Sequence, residues 1–144
     1  DLEAQRLLEV TKASLYKASS RPWRATASVN RYAVQSYCED AGFSVVRDFV
    51  GHGTGKELHE DPGAKLRSSG RGPRLVPGMT IAIEPMICQG DYKIKQLSDG
   101  WLQTKDGGLA AHFEHSIAIL KDRTEIMTRS WDDPDFDPAT FSLK

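Results

Sequence analysis

Two histidines, His52 and His59, stand in the segment Gly51-His52-Gly53-Thr54-Gly55-Lys56-Glu57-Leu58-His59-Glu60-Asp61-Pro62. Two carboxylates downstream sit in largely apolar company. Glu84 lies within Ile81-Ala82-Ile83-Glu84-Pro85-Met86-Ile87, and Glu114 within Ala111-His112-Phe113-Glu114-His115-Ser116. Neutral imidazole and carboxylate together are a donor set for borderline divalent cations such as Zn, Mn, Fe and Co. A carboxylate inside an isoleucine run is costly to bury unless it is paired or bound to a cation. Glycines on both sides of His52 permit positive φ and close approach, so the segment reads as a turn that presents the imidazole. By alternation Glu84 shares a strand face with Ala82 and Met86, and Pro85 marks an edge or bulge where side chains are re-aimed. Blander readings stay open for each residue taken alone: a solvent-facing acid at Glu84, a surface acid at Glu114, ordinary loop histidines at His52 and His59. Their convergence in one small domain favours a metal hydrolase site.

The elements that must position these groups follow from periodicity. Ala4, Leu7, Leu8, Thr11, Leu15 and Ala18 recur at three- and four-residue spacing, which predicts an amphipathic helix over residues 2–18. Ser19-Ser20-Arg21-Pro22-Trp23 ends it, because proline lacks the donor and disfavours helix in the residue before it. A second helix is expected from Thr26 to Ala41, with Ala33, Val34, Tyr37, Cys38 and Ala41 as its apolar stripe. Thr26 or Ser28 suits its cap and Gly42 its left-handed end. Both helices should pack on a sheet. Strands are expected over 43–46 and 49–50, 80–87, 92–97, 101–104, 110–120 and 125–127, with turns at Ser98-Asp99-Gly100 and Asp106-Gly107-Gly108. Residues 63–74, with Lys65, Arg67, Arg71 and Arg74, read as a solvated surface loop. Two helices followed by antiparallel strands make the class α+β. Residues 1–129 form one domain, and 130–144 read as a loosely held tail.

The 144 residues are enough for one domain with a real core. A formal net charge of −1 removes any whole-chain argument for nucleic acid or an anionic membrane. No apolar run approaches the roughly 20 residues that span a bilayer. Cys38 and Cys88 share no close spacing and no metal-knuckle pattern, and read as two reduced thiols of a cytoplasmic protein. The chain opens on Asp1 and enters a helical pattern at once, as a piece of a longer protein would.

Several motifs in a fixed order then carry a resemblance. Gly51-His52-Gly53-Thr54-Gly55, Leu58-His59-Glu60-Asp61-Pro62, Ile83-Glu84-Pro85-Met86, Asp99-Gly100-Trp101 with Thr104-Lys105-Asp106, and Ala111-His112-Phe113-Glu114-His115-Ser116 resemble type I methionine aminopeptidases. The likeness runs from residue 2 to residue 128 and covers the C-terminal half of that family's pita-bread fold. It implies removal of an N-terminal methionine from nascent peptides and proteins at a dinuclear site, with two divalent ions (Co, Mn, Fe or Zn) per complete site. By position, His52, Glu84 and Glu114 match metal ligands. His59 and Glu84 match catalytic residues, Glu84 assisting proton transfer and His59 steadying the tetrahedral intermediate. His59, Leu58 and Trp101 match the substrate-binding positions, although Leu58 stands where relatives usually carry an aromatic. The family's two aspartate ligands precede its counterpart of the first helix and have no match here. The isolated chain is therefore expected to be inactive or nearly so, and to self-associate or pair with the missing N-terminal half. A non-catalytic pita-bread peptide- or protein-binding module and a prolidase-type Xaa-Pro peptidase are the alternatives.

Overall fold

Leu7, Thr11, Ser14, Leu15 and Ala18 form the buried face of helix α1 (Leu2–Ser19). Asp1 caps it, its Oδ1 accepting the Glu3 amide at 3.0 Å. The hydroxyls that the helix buries are paired: Thr11 donates to the Leu7 carbonyl at 2.7 Å and Ser14 to the Thr11 carbonyl at 2.8 Å. Leu8, expected on this face, is 49% exposed. It follows Leu7 by about 100° around the helix and so turns off the stripe.

The computed structural model describes residues 1–19, 28–49, 51–64 and 74–130, with the backbone alone for 28–33, 63 and 64. Helix α2 (Ser28–Asp40) buries Val34 and Cys38 against α1. Gly42, at φ +88°, ends it as expected. Its amide bonds the Glu39 carbonyl and the Phe43 amide bonds the Cys38 carbonyl, both at 2.9 Å, closing the last turn in a Schellman arrangement. The proline break near residue 22, the cap at Thr26, the basic residues Lys65, Arg67 and Arg71, and the tail from residue 131 onward lie outside the described residues.

Ten short strands follow among the described residues, all paired antiparallel: β1 (Ser44–Val45), β2 (Gly51–Gly53), β3 (Glu60–Ala64), β4 (Thr80–Ile83), β5 (Met86–Cys88), β6 (Ile94–Gln96), β7 (Leu102–Thr104), β8 (Ala110–His112), β9 (His115–Ile119) and β10 (Thr124–Ile126). They make a five-stranded sheet ordered β10-β9-β4-β2-β3, a three-stranded sheet β1-β5-β8, and the ribbon β6-β7. Helix α1 lies against β4, β5, β8, β9 and β10, as the expectation of helices packed on a sheet requires.

Three expectations about strands are corrected. The run 80–87 is not one strand but two, β4 and β5, parted at Glu84-Pro85; the run 110–120 is likewise β8 and β9, parted at Phe113-Glu114. The two breaks face each other. Ile83 pairs with His115 on one side and Met86 with His112 on the other, so the register crosses without a slip and sets Glu84 opposite Glu114. Pro85 lacks the amide for a ladder, and its carbonyl instead accepts the Phe113 amide at 3.4 Å. Second, His52 stands in a strand rather than a turn. Gly51, Gly53 and Gly55 are not among the positive-φ glycines; what position 53 needs is closeness, since a Cβ there would lie 2.5 Å from the Asp61 carbonyl oxygen. Third, Glu60–Ala64 pairs as β3 with β2, which its Glu-Asp-Pro-Gly composition did not suggest.

The core is built on this ladder. Ile81, Ile83, Ile87 and Ile117 are fully buried, with Leu15 of α1 against the same cluster. Ile117 pairs Ile81 on one side and Ile126 on the other. Replacing Ile117 with alanine should therefore cost about 2–5 kcal/mol of folding stability, read as a lowered midpoint in urea at unchanged slope.

Candidate metal centre

Glu84 enters the site because its strand stops there. A carboxylate continuing along β4 would follow the alternation of its fully buried neighbours Ala82 and Ile83; at the break it turns instead toward three other polar groups. Its side chain is 15% exposed, so it is far from the solvent-facing acid that alternation allowed. One oxygen, Oε1, lies 3.8 Å from His52 Nε2; the other, Oε2, lies 3.4 Å from His112 Nε2. Glu114, opposite, is exposed, and one donor atom each from Glu84, His112 and Glu114 lie within 4.8 Å of one another. Two carboxylates and an imidazole at that spacing fit a divalent cation.

The tautomer of His52 points the same way. Its Nδ1 is 2.9 Å from the Gly53 carbonyl oxygen. A carbonyl only accepts, so Nδ1 donates to it and Nε2 is the nitrogen that faces Glu84. At 3.8 Å that approach is longer than a hydrogen bond and leaves room for a cation between the two groups. The backbone bond that holds the ring is the usual support for a ligating histidine. His59, exposed on the segment between β2 and β3, stacks on this ring at 4.1 Å between centroids and 47° between planes. The β2–β3 pairing carries a register shift between Gly51 and Gly53, which bends the strand beneath the imidazole. Leu58 next to it is 74% exposed and lines no part of the cavity described below.

His112 was given no role by the sequence. It ends β8, paired with Met86, and is half-buried. Its hydrogen bond to the Glu84 carboxylate holds its imidazole above the ordinary histidine range. The signal for it was present: His112 is two residues from Glu114, the spacing that shares a strand face. His115, by contrast, is buried in structural contacts, its Nδ1 3.0 Å from the Thr128 hydroxyl and its Nε2 3.3 Å from the Tyr16 hydroxyl of α1.

Beside the carboxylates opens a cavity of about 770 Å³, lined by Met86, Cys88, Ile94, Trp101, Ala111 and His112 among others. Trp101 borders it while remaining 74% exposed. Burial raises the Cys88 thiol above its ordinary range and pushes Cys38 up to about 11, so neither is a ready thiolate at neutral pH. The Asp106 carboxylate braces the turn after β7, accepting the Gly108 amide at 3.0 Å and the Asp91 amide at 2.7 Å.

Comparison with known proteins sets this geometry in context. The sequence pattern of metallopeptidase family M24 matches residues 1–121. Methionine aminopeptidase of Clostridium perfringens is 47% identical over 131 residues, covering 88% of this chain and 52% of the relative. Methionine aminopeptidase 1 of Bacillus subtilis is 46% identical over 129 residues, covering 87% and 52%. Among solved structures, methionine aminopeptidase from Thermotoga maritima superposes with a TM-score of 0.85 at 41% identity, over 90% of this chain and 53% of that one. Prolidase from Pyrococcus furiosus shares the fold at a TM-score of 0.64 and 19% identity. The chain spans about half the length of the curated relatives it matches.

The Asp106 brace has a pH signature. The Gly108 and Asp91 amides hold its carboxyl below the ordinary carboxylate range. A folded-state pKa below the unfolded one gives stability that is complete above the unfolded value and is lost as pH falls through the folded value. The urea-stability gap between wild type and Asp106→Ala should therefore be constant near neutrality and narrow as pH drops below about 4. A gap that stays flat down to pH 3 would refute the brace.

Proposed function

This chain belongs to metallopeptidase family M24, and from that premise we propose that it carries one wall of a methionine aminopeptidase active site. The observation behind the reading is the facing pair of strand breaks, which bring Glu84 and Glu114 together with His52 Nε2 3.8 Å from Glu84 Oε1. His52, Glu84 and Glu114 would hold a divalent ion, Co, Mn, Fe or Zn, in a site that takes two when complete. A bound ion there supplies Lewis acidity and lowers the pKa of water.

The chain's own residues divide the remaining work. Glu84, shielded from bulk water, takes a proton at a carboxylate oxygen from the water that attacks the methionyl carbonyl and passes it to the amine that leaves as the peptide bond breaks. His59 donates from its imidazole to the oxygen on which charge develops, steadied by its stack on His52. Trp101, with the apolar lining beside Met86 and Ile94, offers a surface for an unbranched, polarizable side chain such as methionine. Leu58, a substrate-binding position by its place in the motif, lies outside that lining on the exposed His59 segment. The substrates on this reading are N-terminal methionyl peptides and nascent proteins. A cytoplasmic setting accords with two free cysteines; among the described residues no helix is long and apolar enough to cross a membrane. Prolidases share only the fold, at 20% identity for the one from Thermococcus sibiricus and 19% for that from Pyrococcus furiosus, whereas the methionine aminopeptidases of Clostridium perfringens and Bacillus subtilis are 47% and 46% identical.

Full turnover on this reading draws on the half of the family fold that the chain does not span, supplied by a longer chain, a complementing half or a second copy. Purified protein titrated with Mn or Co is expected to bind one ion per chain and to cleave Met-Gly peptides slowly or not at all. Supplying the missing half restores cleavage of Met-Gly over Xaa-Pro peptides, and Glu84→Gln then lowers kcat by about 10²- to 10⁴-fold. Brisk cleavage by the isolated chain would refute the half-site; Xaa-Pro preference in the completed enzyme would refute the methionine specificity.

A further inference from the structure

We infer that His115 is a positioning residue for Glu114. Tied through one ring nitrogen to helix α1 and through the other to the segment after β10, it fixes the start of β9 and so the place of the carboxylate beside it. The inference rests on the reading that Glu84 and Glu114 hold a divalent ion, and it names what keeps the second of them in place.

Glu114 is exposed, so the backbone that carries it, and not burial, sets where its carboxylate stands. The next residue is held far more firmly. His115 is 7% exposed, and its two ring nitrogens reach elements distant in the chain. Nδ1 lies 3.0 Å from the Thr128 hydroxyl and Nε2 3.3 Å from the Tyr16 hydroxyl of α1. The Tyr16 ring also meets the imidazole edge-on, with 5.4 Å between centroids and 68° between planes. A ring bonded at both nitrogens and packed on its edge cannot swing without giving up a buried hydrogen bond.

Thr128 holds the neighbouring residue as well. Its Oγ1 accepts the Ser116 amide at 3.0 Å, and the Met127 amide bonds the Ser116 carbonyl at 2.8 Å. A hydroxyl carries one donor and two lone pairs, so Thr128 serves the imidazole and the amide together. The segment after β10 thereby carries the pairing of β9 up to the residue beside the break. Across the sheet His115 pairs with Ile83, the residue before Glu84. A shift of His115 is therefore a shift of Glu114 against Glu84, and ligand atoms must keep their places to about 0.5 Å for a site to work. Neither tether belongs to the donor set. Thr128 lies beyond residues 1–121, the stretch that the family pattern matches, and Tyr16 sits on a helix that contributes none of the donors described above.

The test uses the purified chain and Co²⁺ alone, with affinity read from the visible ligand-field band and stability read separately from urea unfolding of the metal-free protein. Tyr16→Phe removes one hydroxyl and keeps the ring; Thr128→Val removes the other and keeps the shape. Each is expected to weaken Co²⁺ binding about tenfold, and Thr128→Ser, which restores the hydroxyl, to stay within about twofold of wild type. Ile126→Val, a truncation of the buried β10 residue, should lower the urea midpoint and leave Co²⁺ affinity unchanged. Unchanged affinity in either hydroxyl variant, a loss in Thr128→Ser equal to that in Thr128→Val, or an equal loss in Ile126→Val would overturn the positioning role while the half-site reading stands. Wild-type protein that binds no Co²⁺ would overturn both.

Discussion

Everything at this site depends on one ladder being interrupted twice at the same level. The isoleucine-rich strands β4 and β9 run together in the five-stranded sheet, stop, and resume as β5 and β8 in the three-stranded sheet. The interruption frees Glu84 and Glu114 from strand alternation, and the unbroken register keeps them opposite each other. What holds the register is apolar. Ile81, Ile83, Ile87 and Ile117 flank the break fully buried, and each buried isoleucine is worth about 1.5–3 kcal/mol over an exposed one. A slip by one residue would move all of them to the opposite face of the sheet and undo this packing. The stabilising part of the molecule thus fixes the part that is electrostatically expensive.

That expense has a definite form. Two carboxylates drawn together repel, and taking Glu84 largely out of water adds to the cost. Imidazoles from β2 and β8 stand on either side of Glu84 to offset it, one fixed through the Gly53 carbonyl and the other bonded directly. The layout accords with the cation site proposed for these residues. Around it the surface is unusually apolar in places: Leu58 and Trp101 are each 74% exposed and Met127 54%. In a chain that spans half the length of its relatives, such residues suit burial against more protein or against a substrate.

Much of this was legible in the residues, for reasons that can be named. Helices α1 and α2 announce themselves through three- and four-residue spacing because that spacing is local chemistry. Glu84 stood out because a charge amid isoleucines has few inexpensive explanations, and Pro85 correctly marked a place where pairing fails. The strand breaks themselves were not legible, since a strand that changes sheets does so because of partners far along the chain. The glycines around His52 were misread for a related reason. Glycine serves either positive φ or close approach, and only the nearby Asp61 backbone shows that position 53 needs the second. His112 was passed over because a histidine beside a recognised carboxylate looks like context until its distance to Glu84 is known.

The excursion between the two halves of the ladder carries a consequence for how such sites diversify. Residues 89–109 leave the ladder after β5 and rejoin it before β8, and the Gln89 amide bonds the Leu109 carbonyl at 2.8 Å where they part. Trp101 and the β6–β7 ribbon ride on this arm, while neither carboxylate does. Length and composition can change within the arm without shifting the ladder, whereas a single inserted residue on either ladder strand would exchange its faces. The arm can therefore be reshaped on its own: a change near Trp101 alters the cavity lining while Glu84 and Glu114 keep their places on the ladder.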